Sequence, residues 1–596
     1  MKTLFISATH RRLAILLGLA LSAGPIAVAD PQLDSWFTSA SGRYARVYLN
    51  AAAQSTGTAV TTWSNGSQTQ SLPAYSGVQE INASADWIYL RTTGLGIHTM
   101  GPWSAGFPNL PANQHVLYRL PRHPTVPATK TLTGLGSIGY FVDGVAMFDS
   151  RDAFYWNGSA ETQGTGNWNR EAYVNEGKTF DPAYAHQENT GTYHYHANPV
   201  ALRYLLQDHV DYHADTRTYS ESTDPVQKHS PILGWVRDGF PIYGPYGYAN
   251  ATNPASGLRR MISGYQLRNG QRGTDNLTST GRTQIPAWAT RLYGNSGNAT
   301  GPAVSASYPL GRYMEDNAYL GDFGRHLGTD FDLDEDNGRF CVTPEFPQGT
   351  YAYFVSIADD GTPTFPYNIG RAFHGNPTGA AVTTLTETVT NYYTSGAQAP
   401  VRLANPEVNG GKVTLVWSAV EGGTYQVETS SNLSTWSAQG APVIATSNSA
   451  GITNNSTGNP NFARILRTAV ANHDSVTNAT TGGGNGGGNG GGPGGGGPTL
   501  SGIAPVSGHR GTSVVVTLML AANSQPPPPP AGLNPTSATL GAFPGTNLAR
   551  NGNNITASFA IPANAPTGPV TVSVVFPGPP GMGNVTFTLA NGFTIL

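Results

Sequence analysis

Ile138-Gly-Tyr-Phe-Val-Asp-Gly-Val-Ala-Met-Phe148 lines up without a gap with Leu233-Gly-Trp-Val-Arg-Asp-Gly-Phe-Pro-Ile-Tyr243. Each stretch sets an Asp-Gly pair between two apolar runs, and such a pair favours the positive φ angles of a tight hairpin turn. Two β-hairpins of one design are therefore expected, about Asp143-Gly144 and Asp238-Gly239. A second echo follows each in the same order. Gly191-Thr-Tyr-His-Tyr-His196 answers Gly349-Thr-Tyr-Ala-Tyr-Phe354. The pattern predicts a large, mainly β domain with an internal duplication.

On a strand, successive side chains point to opposite faces. His194 and His196 then share one face, and Tyr193 and Tyr195 share the other. The second copy keeps both tyrosines but has Ala352 and Phe354 in place of the histidines, so the imidazoles are a specialisation of one half. Two imidazoles two residues apart on one strand supply half of a metal site, and copper or zinc suits them. The remaining ligand has three candidates: His186, eight residues upstream in a turn-like segment; His229, just before the second hairpin; and His98, beside Met100. Single-strand chemistry of this kind leaves open both a catalytic metal and a purely structural one. His209 and His213 stand four apart in a polar segment and read as solvated.

Around the hairpins the chain divides by composition. Residues 1–29 carry Lys2, Arg11 and Arg12, then an apolar run, then Ala27-Val-Ala29, the layout of a cleaved secretory signal. The apolar run is too short to span a bilayer, and no transmembrane span is expected in the mature chain, which places it in the periplasm, at the cell surface or outside the cell. Residues 30–74 are a polar lead-in. Residues 75–375 have short aromatic and β-branched runs between turn residues; their best helical pattern is Val200 to Val210. Residues 400–475 alternate apolar and polar positions as a sandwich does, residues 481–498 are a Gly-rich linker, and residues 499–596 form a last β module.

The whole chain has 596 residues, a net charge of −3 and one cysteine, Cys341. A near-neutral chain is a poor partner for nucleic acid, and one thiol excludes an intramolecular disulfide framework and any multi-cysteine zinc site. Asp332-Leu-Asp334-Glu-Asp336-Asn-Gly338 has the alternating carboxylates of a calcium loop, but Asn337 stands where that loop needs glycine and Thr343 where it needs a closing glutamate. Calcium is thus the weaker cofactor reading. No nucleophile elbow, His-Glu-x-x-His or P-loop is present; Glu315, Asp316 and Glu345 are unassigned carboxylates, and no catalytic residue is assigned.

Tyr193-His-Tyr-His196 is the motif that names the YHYH family, and residues 78 to 370 resemble that family in their flanks also: Gly101-Pro-Trp103, His229-Ser-Pro-Ile-Leu-Gly234, Asp238-Gly-Phe-Pro-Ile-Tyr-Gly244 and Thr343-Pro-Glu-Phe-Pro347. The resemblance implies membership without a settled activity, and the cysteines that many members carry near the motif are absent. The same hexapeptide is similar to one copper-binding stretch of multicopper oxidases, whose other motifs are missing. Residues 400–475 resemble a fibronectin type III-like module, and 499–596, opening Leu500-Ser-Gly-Ile-Ala-Pro505, an Ig-like fold of the IPT/TIG type. Two functions remain in view: an exported protein with a His-ligated metal, or a non-catalytic adhesion or polysaccharide-binding protein that displays its β modules to a cell-envelope surface.

Overall fold

The computed structural model describes residues 30–65, 68–104, 109–294, 297, 299–395, 400–455, 462–470, 473–474, 500–504, 507–520, 533–577 and 585–595. The expected signal, the Gly-rich linker and the proline run 526–530 lie outside them. The fold is mainly β, as the hairpin pattern predicts.

The central domain is organised by one eight-stranded sheet. Its strands are β1 (Gly139–Phe141), β2 (Ala146–Met147), β3 (Ala185–Gln187), β4 (Tyr193–Tyr195), β5 (Ile232–Val236), β6 (Pro241–Tyr243), β7 (Gly338–Cys341) and β8 (Thr350–Phe354). They lie in the order β3-β4-β2-β1-β5-β6-β8-β7. That order is a pseudo-twofold, with β1 and β5 paired antiparallel at its centre. Register repeats across it: Gly139 pairs with Met147 and Tyr140 with Ala146, as Gly234 pairs with Ile242 and Trp235 with Pro241. Outward, β4 runs parallel to β2 with Tyr195 opposite Met147, and β8 runs parallel to β6 with Tyr353 opposite Ile242.

The turns repeat as well. Gly144 N–H donates to Phe141 O at 2.8 Å and Gly239 N–H to Val236 O at 2.8 Å. Both glycines have left-handed φ, 83° and 90°, which an L side chain adopts only with strain. The aspartate before each accepts at Oδ1 from the second residue on, Val145 N and Phe240 N, each at 3.1 Å. The outer strands begin in matching turns: Asp181 N–H donates to Ala185 O and Asp334 N–H to Gly338 O, with Tyr184 at φ 70° and Asn337 at φ 65°. Tyr193 OH donates to Asp181 at 2.7 Å, and Tyr351 OH to Asp334 at 2.9 Å. The acidic stretch that reads as a partial calcium loop is therefore the counterpart of the Asp181 turn. Its other carboxylates already meet cations, Asp332 with Arg259 at 2.5 Å and Asp336 with Lys130 at 2.6 Å.

One contact breaks the symmetry. Tyr353 OH donates to Asp238 Oδ2 at 2.6 Å, whereas its counterpart Tyr195 OH and Asp143 Oδ2 are buried with no hydrogen-bond partner. Tyr353→Phe is expected to lower stability by about 1–3 kcal/mol, because it leaves the His374 N–H, which donates to that hydroxyl, without its acceptor and takes one of two donors from Asp238 Oδ2, and Tyr195→Phe by less than about 0.5 kcal/mol. Urea denaturation of the two variants checks this; equal losses would show that the halves differ less than their hydrogen bonds do.

Other elements frame the sheet. The apolar pattern from Val200 makes a helix only over Val200–Leu205; Gln207 takes a left-handed φ of 58°, and Val210–His213 is a strand. Residues 30–74 are built into the domain, since Trp36, Ala45, Val47, Trp63 and Ala74 belong to its main core. They also meet the next module, where Arg46 pairs with Glu421 at 2.7 Å and Tyr44 N–H donates to Glu421 Oε2 at 2.9 Å. That module has two sheets about Leu415, Trp417, Tyr425 and Val427. The last described residues form eight strands on a separate core that includes Val516, Leu518, Phe559 and Phe587.

Candidate metal centre

β4 carries Tyr193, His194 and Tyr195 on a strand held on both sides, by β3 and β2. All of them are buried. Tyr193 and Tyr195 belong to the main core, and the histidines turn the other way, as a period of two requires. Because β3 pairs antiparallel with β4, His186 falls directly opposite His194. The ligand-capable atoms of His186, His194 and His196 lie within 4.8 Å of one another.

The second nitrogen of each ring is tied down. His194 Nδ1 lies 2.8 Å from Thr192 O and His196 Nδ1 2.7 Å from Asp149 O. A carbonyl only accepts, so both Nδ1 atoms carry the proton. His186 Nδ1 lies 2.7 Å from Thr179 Oγ1, whose hydroxyl donates to Glu176 O at 2.6 Å and accepts from the ring. All three Nε2 atoms therefore face the cluster, and such outer contacts are what fix the tautomer and aim of metal-binding imidazoles. His194 Nε2 and His196 Nε2 stand 3.1 Å apart. Two neutral rings would oppose lone pair to lone pair there; a proton on His196 or a metal ion between the nitrogens relieves that.

A carboxylate lies beside two of the three rings. Glu176 ends a short helix, Ala172–Glu176, capped by Glu171, whose side chain accepts from Tyr173 N and Val174 N. Glu176 Oε2 lies 3.3 Å from His196 Nε2 and 3.6 Å from His186 Nε2. Burial opposes its ionisation, but the contacts with His196 and His186 outweigh that and hold its carboxyl below the usual range. For His196 burial likewise opposes the charged form, and Glu176 reverses the balance and raises its proton affinity. Burial lowers His186 to about 3 and, with the neighbouring imidazoles, holds His194 well below the usual histidine range, so both are neutral and able to ligate at pH 7. Phe148 stacks on His194 at 3.8 Å and Phe180 meets His186 edge-on at 4.8 Å. Glu176, with 29% of its side chain exposed, marks the side nearest solvent.

The other two candidate histidines are not brought here. His98 lies behind the strand on the tyrosine face, with Nε2 donating to Tyr193 OH at 2.9 Å. His229 sits in the second half against Tyr243, Tyr248 and Phe354. At the positions corresponding to His186, His194 and His196, that half has Arg339, Ala352 and Phe354, and the Arg339 guanidinium lies over the Phe354 ring at 5.4 Å. Cys341 is buried on β7, also in that half. The unassigned carboxylates are held elsewhere: Glu315 by Asn169 and Tyr293, Asp316 by Arg282, Glu345 by Tyr243. His213 is exposed on its hairpin, bonded to Ser220. Sequence reasoning passes over Glu176 and Thr179; nine residues separate Glu176 from His186, and no spacing rule marks it.

Residues 117–369 match the family model described as YHYH protein. The central region is a YHYH domain. Among curated proteins none matches the sequence. Two solved structures are similar to parts of the chain. Invasin, a bacterial integrin-binding protein, is 15% identical over 33% of this chain and 39% of its own, with a TM-score of 0.11. An ICAM-5 D1–D4 ectodomain fragment is 13% identical over 36% and 58%, with a TM-score of 0.12. The chain thus spans less than two thirds of either. No helix among the described residues is long and apolar enough to cross a membrane.

Proposed function

We propose that the YHYH domain of this exported protein holds one copper or zinc ion between His186, His194 and His196, with Glu176 as the fourth ligand. The opposed Nε2 atoms of His194 and His196, 3.1 Å apart with both Nδ1 protons committed to carbonyls, carry the reading. In a tetrahedral site with bonds of about 2.0–2.1 Å, neighbouring nitrogens stand roughly 3.3 Å apart, close to that separation. Three imidazoles and one carboxylate, with no thiolate, suit either metal. When bound, such an ion would act as a Lewis acid or, for copper, as a redox centre; the protein's part is to hold neutral imidazoles in aim, supply the anionic Glu176 and wall the group with Phe148 and Phe180.

Elemental analysis of protein purified without chelators or refolding is expected to give about one metal per chain, and the copper(II) form an electron paramagnetic resonance spectrum with coupling to several imidazole nitrogens. His98→Ala or His229→Ala should leave that stoichiometry unchanged, because neither ring reaches the cluster. Metal-free protein that also fails to take up copper or zinc on titration would end the proposal. The separate cores of the C-terminal β modules favour a second role, display of the domain at a cell-envelope surface.

A further inference from the structure

Four lysines follow the expected signal: Lys130, Lys178, Lys228 and Lys412. Among the described residues only Lys130 is ion-paired, and arginine or histidine supplies the cation in every other pair. Lys130 Nζ donates to both oxygens of Asp336, at 2.6 and 2.7 Å. By carboxylate geometry that leaves the nitrogen roughly 3 Å from the Asp336 Cγ, the separation of a near-attack pair. Both partners are held in place. Beside Lys130, Thr131 O accepts from Phe373 N and Thr133 N donates to Arg371 O, each at 3.0 Å. Asp336 is 3% exposed, and its backbone oxygen accepts from Gly370 N at 2.8 Å.

Two more groups stand at the pair. His374 Nδ1 lies 3.1 Å from Asp336 Oδ2, with its ring stacked on Tyr351. Asp334 is close enough that an oxygen of its carboxylate, one of Asp336 and a nitrogen of His374 all fall within 4.8 Å of one another. Asp334 Oδ1 accepts from the backbone of Asp336 and Gly338 and from Tyr351 OH, so Oδ2 is the oxygen left to carry a proton. Burial and the charge of Asp336 hold that carboxyl above the usual range, as a proton donor working near neutrality requires. An amine, a buried acyl group in contact with it and an acid beside that group are the parts of an amide-forming centre. Arginine in place of Lys130 would not serve, because its guanidinium does not deprotonate to a nucleophile.

We propose that Lys130 and Asp336 condense to an isopeptide bond, joining two points 206 residues apart in the chain. The Lys130 proton passes to the Asp336 carboxylate, and the free amine attacks Cγ. Asp334 takes a proton from the nitrogen and returns one to the departing hydroxyl. An Nζ–Cγ bond replaces a Cγ–O bond, and one water leaves. An ion pair becomes a neutral amide, so no oxidant, metal or other reactant is consumed. The bond ties the segment ahead of the first hairpin to a turn of the second half, a covalent closure that restricts the unfolded chain and that a chain with one cysteine cannot make as an internal disulfide.

Mass spectrometry of the folded full chain tests the proposal. The intact mass is expected to fall one water short of the sum of its residues, and tryptic digestion to give a branched peptide that joins the segments carrying Lys130 and Asp336. Lys130→Arg keeps the cation but supplies no nucleophile; it should show the full mass and unfold at a lower temperature, with the near-ultraviolet circular dichroism of the parent. Asp334→Asn, in a folded chain, should leave most molecules unlinked. The proposal is overturned if the folded parent has its full mass, if the loss of water persists in Lys130→Arg, or if folded Asp334→Asn is linked as completely as the parent.

Discussion

His194→Ala/His196→Ala is expected to abolish stoichiometric binding of copper and zinc while the YHYH domain remains folded. Both side chains point away from the tyrosine face, and the strand is held through its backbone pairing with β2 and β3. Removing two buried rings leaves space beside Phe148 and takes the donors from Thr192 O and Asp149 O, so the metal-free variant should be less stable than the metal-free parent by on the order of 2–5 kcal/mol. Metal added at about 100 times its dissociation constant stabilises a folded site by about 2.7 kcal/mol, and that increment should vanish in the variant. His186→Ala should lose most of the affinity, and Thr179→Val, which only frees the His186 ring to turn, about 10- to 100-fold. Glu176→Gln keeps the shape but removes the anion and should fall between them. Dialysis against buffered metal followed by elemental analysis gives these affinities. A double variant that binds as tightly as the parent would place the metal, if any, elsewhere.

Asp143→Asn is expected to stabilise the protein at pH 8 and leave it nearly unchanged at pH 4. Asp143 is buried in the first hairpin turn, and burial pushes its pKa up to about 7 despite the backbone donors at Val145 and at its own amide. A group whose folded pKa lies above its unfolded value, about 3.9 for aspartate, lends stability fully below that value and loses it as pH rises towards the folded pKa. Between pH 4 and pH 7 the loss for this carboxyl is on the order of 3 kcal/mol. Asparagine keeps an acceptor for Val145 and never ionises, so the difference between variant and parent isolates this carboxyl from others that titrate nearby, such as Glu171, raised to about 8 by burial. Asp238→Asn makes the contrast, because Asp238 Oδ2 accepts from Tyr353 OH and Gly375 N, and replacing that oxygen by an amide nitrogen should destabilise at both pH values. Guanidinium denaturation at pH 4 and pH 8 measures each difference; a constant gain for Asp143→Asn would show that the carboxyl is not buried as a neutral acid.

The duplication was legible in the chain because hairpins are local. A gap-free pattern of apolar residues about Asp143-Gly144 and Asp238-Gly239 specifies turn and register within a dozen residues, and the structure pairs them alike. The face shared by His194 and His196 was legible for the same reason, since a strand's alternation needs no distant partner. The single cysteine likewise settled that no pair of thiolates could build the site. The choice among His186, His229 and His98 was of another kind, because it depends on which segment lies against β4. That is decided by long-range pairing, in which the Asp181 turn folds β3 back so that His186 meets His194. Glu176 and Thr179 arrive by a helix capped by buried Glu171, and the aspartates that read as a partial calcium loop form the turn that corresponds to the Asp181 turn. By itself the sequence determined the β framework and half of the candidate metal centre. The other half was decided by tertiary structure, because a ligand's partners are set by the packing of segments far apart in the chain, which no local spacing encodes.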